Sequence, residues 1–383
     1  METVKLYYND SFCREFDAAV TDCQPCKDGF AVVLEQTAFY PEGGGQPADH
    51  GTLGGAAVSD VREKDGVITH ICDAPLTPGE TVHGTPDWER RFDHMQQHSG
   101  EHIVSGMLCE MFRCDNVGFH MGTDTVTIDY NAEMTWEDVL SIEARANRYI
   151  WEDHPFRAFY PSPEELAVLP YRSKKELTGA VRITSFPGAD LCACCGTHVK
   201  SSAQVGLVKF LSCQKFREGV RLEVLCGKRA LDFLAGCWEQ NHQIGQELSV
   251  KPFATYGAVC RLKEELAQVK ERSAHLEEAV FAGIAEQCRD KGNILRLENE
   301  TFTSDAVRRL SVAIGAVCGG RSAVFAGSGS SYKYALVEEG GDLRDFVKEM
   351  NEALCGRGGG KGGFAQGSVQ ASDEEISRFF AHK

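Results

Sequence analysis

The stretch DHMQQHSGEHIVSGMLCEMF, residues 93–112, decides how this chain reads. Its apolar residues Ile103, Val104, Met107, Leu108 and Met111 recur at threes and fours, the period of a helix. Inside it, His98-Ser-Gly-Glu-His102 sets two histidines at i and i+4. On a helix such a pair projects from one face, so both imidazoles can reach one metal ion. Glu101 directly precedes the second histidine instead of following the first, which argues against the zinc-protease motif.

A second half-site, Cys194-Cys-Gly-Thr-His198, supplies a thiolate and an imidazole at the same spacing. Together the two pairs make a His3Cys set, a donor mixture that tetrahedral zinc favours. Cys192 and Cys195 flank the expected ligand, so three thiols compete for the assignment, with Cys194 chosen by spacing. Cys23-Gln-Pro-Cys26 has no second pair nearby in sequence and reads as two thiols in a turn.

Outward from these motifs the texture changes. From Thr3 to about Thr85 short alternating runs (VKLYY, FAVVLEQ, GVITHIC) are punctuated by Gly, Asp and Pro, the pattern of a small antiparallel barrel or sandwich. Pro75, Pro78 and Pro86 mark its end. From 88 to about 245, helices and strands mix without strict alternation, including a second helix near Trp136 to Ile150, which suggests α+β. Between Tyr256 and Gln287 a charged helix carries Val259, Leu262, Leu266, Val269, Leu276 and Val280 on one seam. That seam fits a homodimer and an intramolecular hairpin equally. A last domain starts near 291, with strands expected at 310–338, a helix near Asp342 to Cys355 and a glycine-rich turn.

Composition narrows the function. At 383 residues the chain is long enough for several domains, and it has no run of about 18 apolar residues that could span a bilayer. The start, METVKLYYNDSF, lacks the apolar core of a signal peptide, so a cytoplasmic location and mostly reduced thiols are expected for its 16 cysteines. A net charge of -16 argues against bulk binding of nucleic acid. Any RNA contact must use a local patch, such as the run Lys215, Arg217, Arg221, Lys228 and Arg229.

The segments TAFYPEGGGQPADHG (37–51), HSGEH (98–102), GFHMG (118–122), CCGTHV (194–199) and GRGGGKGGFAQG (356–367) occur in an order that resembles the alanyl-tRNA editing proteins in their long form. One departure is Cys195, where the family's commonest motif has glycine. The resemblance implies an α+β multidomain chain: a β-barrel (1–87) like that of translation factors and alanyl-tRNA synthetase, and a zinc-containing editing domain (88–245). It further implies a helical or coiled-coil arm (246–290) and a glycine-rich C-terminal α/β domain (291–383) for tRNA binding or oligomerisation. Nothing precedes the barrel, so no aminoacylation is expected.

The activity implied is hydrolysis of the aminoacyl ester of mischarged tRNA-Ala, carrying serine and also glycine. A synthetase pocket built for alanine rejects such near neighbours by only about two orders of magnitude, because one small group is worth roughly 1–3 kcal/mol. One Zn2+ per chain would be held by His98, His102, Cys194 and His198. Its role stays open between activating water and holding the substrate, with the resemblance leaning toward the second. His120 and Thr197 are the catalytic candidates, with Gln46, Thr123 and Thr125 for the substrate. Arg357 and Lys361, around Gly359, are the candidates for tRNA phosphate. Nucleotide and ATP binding would come with the synthetase kinship. A zinc-stabilised RNA-binding module and a zinc hydrolase of another aminoacyl ester are the competing readings.

Overall fold

The computed structural model describes residues 2–173, 179–381 and 383. The chain packs as two compact units, Met1–Gln243 and Ile244–Lys383.

In the first unit six antiparallel strands, Phe16–Cys26, Gly29–Leu34, Val67–Cys72, Ala56–Lys64, Gly51–Leu53 and Thr81–Pro86, close into a barrel in that spatial order. Alternation along these strands, reset by a register shift between Val58 and Asp60, turns Phe16, Val20, Val32, Leu34, Val58, Val61 and Ile68 inward. The strand Thr81–Pro86 leads directly to helix α1, Trp88–Phe112, whose N-cap Asp87 accepts from the Arg90 amide. α1 is 25 residues long and ends at Arg113 in the left-handed region.

α1 is the axis of the unit and is buried nearly all round, from Met95 to Leu108. Its apolar stripe packs on a four-stranded antiparallel sheet ordered Val208–Phe216, Gly219–Cys226, Val126–Tyr130, Asn116–Met121. A second helix, α2 (Trp136–Trp151), begins with a Thr135/Asp138 capping box and packs into the same core. The other face of α1 is polar yet buried, so each group must find a partner. Gln97 spans the amide and carbonyl of Cys226, and Gln96 reaches the Gln204 carbonyl and the Lys228 amide. Gly106 allows the helix to touch the loop after Ile183–Phe186. A Cβ there would lie 2.0 Å from the Ala189 carbonyl oxygen.

Barrel and helix are joined by charge. Arg91, fully buried, pairs with Asp49 of the loop after Gln36–Thr37 and donates to the Ala38 and Ser11 carbonyls. A buried ion pair of this kind needs its remaining donors satisfied, and here each of the three guanidinium nitrogens has an acceptor.

The second unit is built on a five-stranded sheet ordered Gly292–Glu298, Gly319–Ser328, Ser331–Glu338, Phe364–Val369, Arg357–Lys361, with the first pair parallel. Two expectations change here. Residues 304–315 form a helix, not a strand: Thr303 caps it, and Ala306, Val307, Leu310 and Ile314 turn one stripe into the core. Arg357–Lys361, expected as a turn, is an exposed edge strand, and the reversal falls at Gly362–Gly363. Before the sheet, helix α3 (Thr255–Gln287) runs for 33 residues. Only its ends are buried, and Leu262, Leu266, Val269, Leu276 and Val280 are half exposed or more.

Candidate metal centre

α1 carries His98 and His102 one turn apart. The turn after strand Asp190–Ala193 carries Cys194 and His198. One donor atom from each lies within 4.8 Å of all the others. Cys194 Sγ is 3.5 Å from both His98 Nε2 and His198 Nε2. A tetrahedral zinc with bonds of about 2.0–2.3 Å has donor–donor edges of about 3.4–3.6 Å, so the donors fit that ion.

Each histidine has its other nitrogen engaged. His98 Nδ1 meets Gln46 Oε1 at 2.8 Å, His102 Nδ1 meets Asp190 Oδ2 at 2.7 Å, and His198 Nδ1 meets Ser99 Oγ at 3.2 Å. With Nδ1–H donating in each, all three Nε2 lone pairs point to the common centre. Asp190 is in turn held by Arg172, whose Nε and Nη2 lie 2.7 and 2.9 Å from its oxygens. The ligand turn is clamped as well. Arg182 Nη1 donates to the Cys194 and Gly196 carbonyls, and Ser11 Oγ donates to the His198 carbonyl.

Electrostatics sort the cysteines. Burial opposes ionisation of Cys194, but His98 and His102 beside it more than offset this, and its thiol sits well below the ordinary value. Burial pushes the Cys192 thiol up to about 11, which disfavours the thiolate a metal needs. Cys192 belongs to a neighbouring group with His102 and Asp190, and Cys195 is exposed. Burial lowers His198 to about 3, against the pull of Cys194. His102 also resists protonation through burial, yet Cys194 and Asp190 lift it well above the usual value.

Beside the cluster opens a cavity of about 330 Å3, lined by Gly44, His98, Glu101, His102, Arg172, Ser173 and the stretch Cys192–Cys195. Glu101 also accepts from Ser105 and Asn116.

The remaining expected site residues are distributed differently. Gln46 is fully buried against His98 and Thr197, not exposed to a substrate. Thr197 is buried too, and its hydroxyl accepts from Gln46 Nε2. His120 is exposed and does not line the cavity. Strand alternation puts Phe119 inward instead, where its ring stacks on His98 at 5.4 Å. Thr123 is exposed and Thr125 half-buried, and neither lines the cavity. In the second unit, Gly359 lines a cavity of about 360 Å3 with Arg344, Lys348 and Asn351, while Arg357 and Lys361 are exposed beside it. Gln46, Asp190, Arg172 and Ser99 as partners of the ligands carry no spacing signature. The one clue is the general need of a metal-bound imidazole for an acceptor on its second nitrogen.

The ligand cluster sits in an α+β domain that follows a closed six-stranded barrel, and both parts match models of tRNA synthetase families. Residues 3–90 match the model of class II (A) tRNA synthetases, and residues 181–222 match the threonyl and alanyl tRNA synthetase second additional domain. The alanyl-tRNA editing protein AlaX-L of Pyrococcus horikoshii is 32% identical over 97% of this chain and 96% of its own length. The mouse alanyl-tRNA editing protein Aarsd1 is 28% identical over 95% of this chain and 93% of its own. The alanine–tRNA ligase of Ignicoccus hospitalis is 30% identical over 98% of this chain but only 42% of the ligase. The chain belongs to the alanyl-tRNA editing protein family. Nothing in these likenesses supports nucleotide or ATP binding. No helix among the described residues is long and apolar enough to cross a membrane.

Proposed function

We propose that this chain is a trans-editing enzyme that hydrolyses the aminoacyl ester of mischarged tRNA-Ala, with seryl-tRNA-Ala the main substrate and glycyl-tRNA-Ala a second. Its class, aminoacyl-tRNA deacylase, comes with the family. The observation that carries the reading is the convergence of His98, His102, Cys194 and His198 at the wall of a cavity in a chain of this family.

Zinc held by these four residues would supply a positive centre that steers the terminal adenosine and its ester. Four protein donors fill a tetrahedral shell, which supports a positioning role over water activation. The chain's own groups do the rest. Asp190 and Arg172 hold His102, and Phe119 and Gln46 hold His98. Glu101 and Ser173 line the cavity and are proposed to read the serine hydroxyl. A site built to bond that hydroxyl spares alanine, because alanine would leave its buried polar groups unpaired. The edge strand Arg357–Lys361, with its two cations and the cavity at Gly359, is proposed to take tRNA phosphates. The exposed seam of α3 is proposed to pair with a second copy of the chain.

The test is deacylation of seryl-, glycyl- and alanyl-tRNA-Ala by the purified protein. Rapid loss of serine and glycine with alanine spared is the expected result. Survival of all three esters at the uncatalysed rate would refute the proposal.

A further inference from the structure

Gln46 is a barrel residue, yet its amide ends inside the ligand cluster. It lies in a tight turn of the loop after Gln36–Thr37, where Gly43 and Gln46 exchange backbone hydrogen bonds and the Tyr40 hydroxyl donates to the Gly43 carbonyl. Gly45, at φ +87°, lets this turn approach the strand Asn116–Met121; a Cβ there would lie 2.5 Å from the Phe119 ring. The side chain of Gln46 is fully buried.

Its contacts fix its orientation. The Thr197 amide, 3.2 Å away, is an obligatory donor, so the atom facing it is Oε1 and not the amide nitrogen. The same Oε1 lies 2.8 Å from His98 Nδ1. An oxygen there accepts only, so Nδ1 must carry the imidazole proton. His98 Nε2, the atom 3.5 Å from Cys194 Sγ, is thereby left with its lone pair toward the cluster. Nε2 of the glutamine donates to Thr197 Oγ1 at 2.8 Å, between the ligands Cys194 and His198. One side chain therefore ties both halves of the ligand set, α1 and the CCGTH turn, to the barrel.

We infer that Gln46 is the positioning residue that selects the metal-binding tautomer of His98 and holds the two half-sites in register, so that metal affinity depends on the barrel. This rests on the metal reading of the cluster above. A side chain with the same reach and two acceptors, glutamate, keeps the contacts to His98 and the Thr197 amide. Methionine, of similar length with only a weak thioether acceptor, loses them.

The experiment is titration of metal-free protein with Co2+ and Zn2+ for wild type, Gln46→Glu and Gln46→Met. The readouts are competition with a chelator and the cobalt ligand-field and thiolate charge-transfer bands, taken beside thermal unfolding of each metal-free form. Wild type and Gln46→Glu should bind one ion per chain with the same tetrahedral spectrum. Gln46→Met should bind about 10–100-fold more weakly, the usual cost of losing such a partner, while its metal-free form still unfolds cooperatively, at a lower temperature than wild type because the Thr197 amide and His98 Nδ1–H lose their acceptor. Should Gln46→Met fail to fold, Gln46→Glu decides alone: weak binding by that variant would overturn the inference. Wild-type affinity and spectrum in Gln46→Met would overturn it as well. A wild-type protein that binds no metal would instead overturn the metal reading, and this inference with it.

Discussion

Replacing Asp190 with alanine should weaken both the fold and the metal site. Its carboxylate is almost completely shielded and accepts from His102 Nδ1 and from two Arg172 nitrogens at 2.7–2.9 Å. Those donors, more than offsetting its burial, hold the carboxyl below its usual range, so it is charged throughout the physiological range. Alanine leaves the Arg172 guanidinium without its counter-charge and His102 Nδ1–H without an acceptor. Removing one partner of a buried pair costs about 3–5 kcal/mol of folding stability. Loss of the acceptor behind a metal-bound imidazole costs a further factor of about 10–100 in metal affinity, or about 1.4–2.7 kcal/mol. Asparagine keeps one acceptor and should cost less on both counts, about 1.5–3 kcal/mol for the charge-assisted bonds it weakens. Guanidinium unfolding with and without zinc measures both quantities. Because Arg172 and Asp190 touch, the double variant Asp190→Ala/Arg172→Ala should fall short of the sum of the singles. Additive costs, or an Asp190→Ala protein with wild-type stability and zinc affinity, would show that Asp190 does not hold Arg172 and His102 in this way.

Other parts of the fold give further expectations. His70 is fully buried in the barrel, where Nδ1 donates to the Val32 carbonyl and Nε2 accepts from Thr37, and burial depresses it from 6.5 to about 4. Its neutral form is the folded one, so its contribution is complete above pH 6.5 and is lost as pH falls toward 4. The gap of about 2.5 pH units at about 1.4 kcal/mol each amounts to about 3 kcal/mol, and His70→Gln should flatten that acid slope in unfolding measured from pH 7 to 4.5. Alanine at Arg357 and at Lys361 should each lower the salt dependence of tRNA binding by about one counter-ion while leaving zinc content unchanged. An unchanged salt slope would remove that strand from the tRNA surface. If α3 pairs with a second copy, light scattering should give twice 42.1 kDa for wild type and 42.1 kDa for Leu262→Glu/Leu266→Glu.

How much of this could be read from the residues alone follows from distance along the chain. His98 with His102, and Cys194 with His198, are one helical turn or one tight turn apart, so spacing alone brought each pair together. The barrel region announced itself through alternation and its three prolines. The roles of the partners that tune the site were not legible: Gln46, expected at the substrate, is 52 positions from His98, and Asp190 is 88 from His102. His120 drew attention as a histidine, but strand parity gives the inward place to its neighbour Phe119. Leu310 to Val317 is a short apolar run that periodicity cannot divide between strand and helix, and the Thr303 cap and core packing make it helical. Glycines at 358–360 suggested a turn, yet pairing with Phe364–Val369 draws them into a strand.

The His3Cys cluster is proposed to be the working centre of a deacylase. Cys194→Ala and Cys195→Ala proteins, each assayed for bound zinc and for hydrolysis of seryl-tRNA-Ala beside wild type and a chelator-treated sample, test it most directly. Loss of zinc and of hydrolysis together in Cys194→Ala and on chelation, with Cys195→Ala retaining both, is the predicted result. Wild-type hydrolysis in a Cys194→Ala protein that holds no metal would contradict it.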